Sequence, residues 1–157
     1  MRLTSPAYAD GETMPTRFAA PRATGGRGLS VPLEWDGEPQ GTRSFVLAMI
    51  DHHPVAHGWV HWLVVDLPAE VHALPEGASQ TAAMPAGATE LETSGHTPGY
   101  EGPMPPAGSG AHDYVITIHA LDVARLDVIP RADWNDVRTA IDGHLLDSAT
   151  LLGRFAL

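Results

Sequence analysis

Ser44-Phe45-Val46-Leu47-Ala48-Met49-Ile50-Asp51 is apolar at consecutive positions between polar ends. A strand shows its side chains alternately to two sides, so such a run suits a sheet covered on both faces. Trp59 to Leu67 (WVHWLVVDL) repeats the pattern, and Tyr114 to Asp122 (YVITIHALD) is equally rich in β-branched and aromatic residues. Weaker strand signals lie at Leu29 to Trp35 and Ala88 to Thr93, and Thr150 to Phe155 is read as a last strand. The 16 glycines and 14 prolines punctuate the chain between these runs. The pattern predicts a mainly β protein with turns and long loops, its central strands inside a sandwich. One helix is expected from Asp133 onward, because Trp134, Val137, Ile141 and Leu145 fall on one helical face. Asp133 suits its N-cap. Gly95 to Gly110 carries five glycines and four prolines and is read as an irregular loop of functional length.

The chain has 157 residues, 43% of them hydrophobic, enough for one domain over 1–157 with a real core. It has no lysine, and its nine arginines face nineteen acids for a net charge of −10. That balance repels phosphate backbones and anionic lipid surfaces, so neither nucleic-acid binding nor polybasic membrane docking is expected. No apolar stretch approaches the ~18 residues of a membrane span, and Met1-Arg2-Leu3-Thr4-Ser5-Pro6 has no signal-peptide core. The cytoplasm is the expected location. Without cysteine there is no disulfide, no thiolate chemistry and no cysteine-based zinc site.

Nine histidines are the unusual feature, and His52, His53, His57 and His61 lie within ten residues. On a helix, His53, His57 and His61 would share a face and suit a metal. Pro54, Gly58 and the run Trp59 to Val65 argue instead for a loop entering a strand, so no metal site is expected. In strands, Trp59 and His61 share a face, as do His112 and Tyr114. Two such pairs at strand ends can converge on a pocket at the sandwich rim, with Asp51 fixing an imidazole tautomer. The alternative is that Trp59 and Tyr114 are core aromatics. In Pro103-Met104-Pro105-Pro106 only Met104 has an N–H. The stretch is either a rigid cradle for a small anion or a rigid surface turn. Ser109, in Gly108-Ser109-Gly110, lacks the Gly-x-Ser-x-Gly setting of a hydrolase nucleophile.

Several motifs in order resemble the phosphatidylethanolamine-binding protein family, in its short bacterial Raf-kinase-inhibitor-like branch. They include Asp10-Gly11, Met14-Pro15, Ser30-Val31-Pro32-Leu33-Glu34-Trp35, Gly41-Thr42-Arg43-Ser44-Phe45, Trp59-Val60-His61-Trp62 and Leu67-Pro68-Ala69. The most specific is Gly99-Tyr100-Glu101-Gly102-Pro103-Met104-Pro105-Pro106-Ala107-Gly108 running into His112-Asp113-Tyr114. His119-Ala120-Leu121-Asp122 and Gly143-His144-Leu145-Leu146 complete the series. The resemblance implies an antiparallel β-sandwich with Greek-key-like connections, one helix in the C-terminal region and short peripheral helices. It also implies a rim pocket for phosphate-like groups. By position, the pocket residues are Asp51, Trp59, His61, Met104, Pro105, Pro106, His112 and Tyr114, and His53 joins the altered wall. Three departures stand out. The family's Asp-Pro-Asp-x-Pro element is here Asp51-His52-His53-Pro54, an Asn-Asp-Phe-Gly-like stretch is Glu92-Thr93-Ser94-Gly95, and His-Arg-Tyr is His112-Asp113-Tyr114.

The expected ligand is a small anion: phosphate, a phosphoryl head group or a carboxylated metabolite. A cofactor-independent enzyme of dehydratase, cyclase or isomerase type is the alternative, with Asp51, His61, His112 and Tyr114 as acid–base groups. A protein partner would make the domain a regulator, and no motif names one. No cofactor is expected, and a homodimer is the default for a chain of this size.

Overall fold

The computed structural model describes residues 1–129 and 131–157. Among the described residues, eight strands and one α-helix follow in the order β1 (Arg2–Thr4), β2 (Leu33–Asp36), β3 (Ser44–Asp51), β4 (Val60–Pro68), β5 (Ala73–Leu74), β6 (Thr89–Glu90), β7 (His112–Leu121), α1 (Trp134–Ile141) and β8 (Leu145–Phe155). Short 3-10 turns occupy Thr16–Phe18 and Pro54–Ala56. The strands form two antiparallel sheets, one of three strands in the order β1-β2-β5 and one of five in the order β6-β4-β3-β7-β8. The mainly β sandwich read from the sequence is the fold observed.

The two-faced apolar strands have a direct explanation. One face of the five-stranded sheet sends Phe45, Leu47, Met49, Trp62, Val64, Tyr114, Ile116 and Ile118 into a core shared with Leu3, Leu33, Trp35 and Leu74 of the smaller sheet. The other face sends Val46, Ala48, Leu63, Val65 and Leu121 against Leu126, Ala132, Val137 and Ile141. Strands β3 and β4 therefore lie in the middle layer of three, with apolar matter on either side.

Some boundaries differ from the sequence reading. The weak signal at Leu29 to Trp35 becomes a strand only at Leu33, after Pro32, whose missing N–H cannot join a ladder. The signal at Ala88 to Thr93 shortens to Thr89–Glu90. Helix α1 starts as expected: Asp133 accepts from the Asn135 and Asp136 amides at 2.8 and 3.0 Å, and Asp136 accepts from the Asp133 amide at 3.1 Å. It ends one turn before Leu145. Gly143 takes a left-handed φ of 88°, the chain reverses, and Leu145 opens β8 opposite Leu121. The last strand thus begins five residues before Thr150.

Antiparallel pairing places the future site. The end of β3 must lie beside the beginnings of β4 and β7. Asp51 pairs with Tyr114, and Ile50 pairs with both Val115 and Val60. Asp51, His61, His112 and Tyr114 are therefore brought to one rim by register alone.

Candidate functional site

At that rim an open cavity of about 320 Å³ is lined by Asp51, Trp59, His61, Met104, Pro105, Pro106, His112 and Tyr114. Val55, Ala56, Glu101 and Gly102 complete its wall. Eight of the nine residues singled out from the sequence thus share one cavity. His53 is the exception: it does not line the cavity but stacks on His112, ring centroids 3.9 Å apart and planes at 10°. Trp59 precedes β4 rather than lying in it, and the residue is 39% exposed, so it is not a core aromatic. Tyr114 is both buried in the core and part of the cavity wall.

Asp51 and His112 form a buried pair, with Asp51 Oδ2 2.6 Å from His112 Nδ1. The other carboxylate oxygen accepts the His53 amide at 2.8 Å. Asp51 thereby holds a proton on Nδ1 and leaves Nε2 as the variable atom of His112. Nε2 lies 2.9 Å from Ser109 Oγ. The Gly108-Ser109-Gly110 flanks of Ser109 do not match a hydrolase elbow. Its meeting with His112 depends on the turn in which the Ser109 amide donates to the Pro106 carbonyl at 3.1 Å.

His61 is fixed by the irregular loop. Its Nδ1 donates to the Glu101 carbonyl at 2.8 Å, while the Glu101 amide donates back to the His61 carbonyl at 2.7 Å. Nε2 has no protein partner among the described residues. Burial pushes the His61 imidazole below its usual pKa, against opposing pulls from the Glu101 carbonyl and the charges of Glu101 and Asp51. The Tyr114 hydroxyl is buried without a hydrogen-bond partner among the described residues. Burial and the neighbouring Asp51 push its pKa up, so it remains a phenol and a donor at neutral pH.

The loop from Gly95 to Gly110 contains no helix or strand, as expected. Close packing holds it. A Cβ on Gly102 would stand 2.5 Å from the Ala20 nitrogen and 2.6 Å from the Phe18 oxygen, so only glycine fits. The Ala20 amide donates to the Pro103 carbonyl at 3.0 Å, and the Tyr100 hydroxyl donates to the Phe18 carbonyl at 3.0 Å. Glu101, which the sequence reading did not select, proves central. Its carboxylate accepts from Trp59 Nε1 at 3.2 Å and from Thr93 Oγ1 at 2.9 Å, tying the mouth of the cavity together. Its only signal was its place next to Gly102 in the quoted motif.

The histidine cluster divides as the loop reading required. His53 caps the turn Pro54–Ala56, His57 ends it with a left-handed φ of 52°, and His61 lies in β4. Among the described residues no group of three or more potential ligands is placed to hold a metal.

The family model described as phosphatidylethanolamine-binding protein matches residues 4–156. The chain belongs to the phosphatidylethanolamine-binding protein family. It is 38% identical to the UPF0098 protein YbhB of Escherichia coli (strain K12), over 99% of this chain and all of that one. It is 34% identical to a UPF0098 protein of Methanothermobacter thermautotrophicus, over 99% of this chain and 98% of the relative. The crystal structure of Escherichia coli YbcL, titled a new member of the mammalian PEBP family, superposes with a TM-score of 0.91 at 28% identity, covering 99% of this chain and 98% of that one. The family's fold is the fold described above, and the two UPF0098 proteins just named match this chain over nearly their whole lengths. None of the described helices is long and apolar enough to cross a membrane.

Proposed function

We propose that the rim cavity binds a small oxyanion, phosphate-like or carboxylate, and favours it in acid. The supporting observation is the convergence in one open cavity wall of His61, Tyr114 and the Asp51–His112 pair. Trp59, Met104, Pro105 and Pro106 supply apolar walls, and a volume of about 320 Å³ suits a small metabolite.

Charge decides the pH preference. Asp51 and Glu101 both line the cavity. With His61 neutral, a second anion meets two carboxylates and only dipolar donors. Protonating His61 adds a cation facing the cavity and gives Nε2 a proton to donate. Because burial holds the His61 pKa below 6.5, this state fills only as the pH falls below that value. Calorimetric titration with sulfate, whose own charge does not change in this range, should therefore show affinity rising from pH 7.5 to pH 5.5. His61→Ala should flatten the profile. An affinity independent of pH, or no binding at either pH, would contradict the reading.

A further inference from the structure

We propose that Ser109 is a nucleophile activated by His112 and Asp51, and that the site accepts an acyl group from small esters. The sequence gives no hint of it, because the three residues come from the end of β3, the start of β7 and the loop between Pro106 and His112. The structure nevertheless sets Asp51 Oδ2 2.6 Å from His112 Nδ1 and His112 Nε2 2.9 Å from Ser109 Oγ. This is the order of acid, imidazole and hydroxyl that general-base activation of a serine requires, and such triads are recognised by geometry rather than by sequence position.

Each group is in the state the chemistry needs. Asp51 and His112 are both buried, so the carboxylate acts on the ring with little water between. With the Nδ1 proton held by Asp51, the Nε2 lone pair faces Ser109. The hydroxyl has one proton and two acceptors within reach, Nε2 and the Pro106 carbonyl at 2.6 Å. Turning from the carbonyl to the ring requires only rotation about one bond. Ser109 is half-buried and stands between Gly108 and Gly110, both with left-handed φ, and a Cβ at either glycine would meet nothing within 4 Å. An ester can therefore approach from that side. Pro106 and His112, the two partners of the Ser109 hydroxyl, also line the rim cavity.

The step balances with an ester and water alone. Ser109 Oγ bonds to the ester carbonyl carbon as its proton passes to His112 Nε2. The carbon–oxygen bond to the leaving alcohol breaks, and that alcohol takes the proton from Nε2. Water, deprotonated by the same nitrogen, then attacks the acyl carbon; the Oγ–acyl bond breaks, Nε2 returns its proton to Ser109 Oγ, and a carboxylic acid leaves and ionises to carboxylate. This activity stands on the Ser109–His112–Asp51 geometry and not on the oxyanion affinity proposed above, although a carboxylate product would suit the same cavity.

The test is labelling with a fluorophosphonate, read by intact mass and located by peptide mass spectrometry, alongside p-nitrophenyl acetate hydrolysis. Wild-type protein should carry one adduct, on Ser109, and Ser109→Ala should take none and hydrolyse the ester at least tenfold more slowly. Asp51→Asn keeps the shape but turns the amide N–H toward Nδ1, which forces the ring proton onto Nε2. It should slow labelling at least tenfold while the far-UV circular dichroism stays that of the parent. Wild-type protein that stays unlabelled, or that is labelled equally after Ser109→Ala, overturns the proposal. A wild type that binds sulfate but takes no label sinks this inference alone. A labelled wild type without sulfate affinity supports it and sinks the proposed oxyanion site alone.

Discussion

Asp51 has both carboxylate oxygens committed inside the protein, one to the His112 ring and one to the His53 amide. A buried carboxylate is tolerated only when its lone pairs are met, and removing it orphans its partners. Asp51→Ala would leave the His112 Nδ1 position and the His53 amide without acceptors. It should cost about 3–5 kcal/mol in urea denaturation, and a loss below about 1 kcal/mol would show that the pair carries little of the local stability. The family's second acid in this segment is here His53, and its role differs in kind. It supplies an aromatic face to His112 and accepts the Val55 amide through Nδ1 at 3.3 Å. The substitution therefore changes what supports His112 without adding a side chain to the cavity wall.

At the scale of elements, the loop from Gly95 to Gly110 keeps its shape through contacts far away in the chain. Gly102 admits the backbone of Phe18, Ala19 and Ala20 within a distance no side chain allows. Gly102→Ala should push the loop off that segment, destabilise the protein by about 3 kcal/mol, and weaken phosphate binding in parallel, measured by thermal denaturation with and without phosphate. Such contacts also mark where the sequence stopped being legible. Strands β3, β4 and β7 could be read because apolar faces and β-branched residues are local signals, and the rim residues followed from strand ends. The two-residue β5 and the three-residue β1 carry no such signal, and β6 only the weak one at Ala88 to Thr93, since their pairing is set by partners rather than by their own pattern. Leu145 misled the helix reading because a helical spacing can continue by chance past a glycine that ends the helix. Glu101 and Ser109 could not be singled out, because Trp59, Thr93 and His112 reach them only through the folded loop.

Across the whole molecule, the five-stranded sheet divides the histidines between two environments. His61 and His112 face the rim cavity, while His119 lies on the opposite side near Trp134, ring centroids 5.9 Å apart. Both His119 ring nitrogens are buried without partners among the described residues, and burial lowers its pKa to about 4. The unfolded chain holds that proton from about pH 6.5 downward. Stability is thus full above pH 6.5, declines as the pH falls toward 4, and levels off below, for a total of roughly 3 kcal/mol. His119→Phe should remove that part of the slope, with urea melts at pH 7 and pH 5 converging. An unchanged slope would assign the acid sensitivity to other groups. Arg138 and Asp142 border the same cleft. On the reading proposed for the rim, acid would strengthen ligand capture there while it loosens the helix-covered face.

The placement of the indoles has a practical outcome. Trp35 and Trp62 are sealed in the interior, whereas Trp59 stands at the cavity mouth with its N–H on Glu101. Its emission is an intrinsic optical gauge of occupancy: a bound molecule should shield it from acrylamide, and the protection should vanish in Trp59→Phe. Trp134, on the helix beyond the sheet, serves as the internal control.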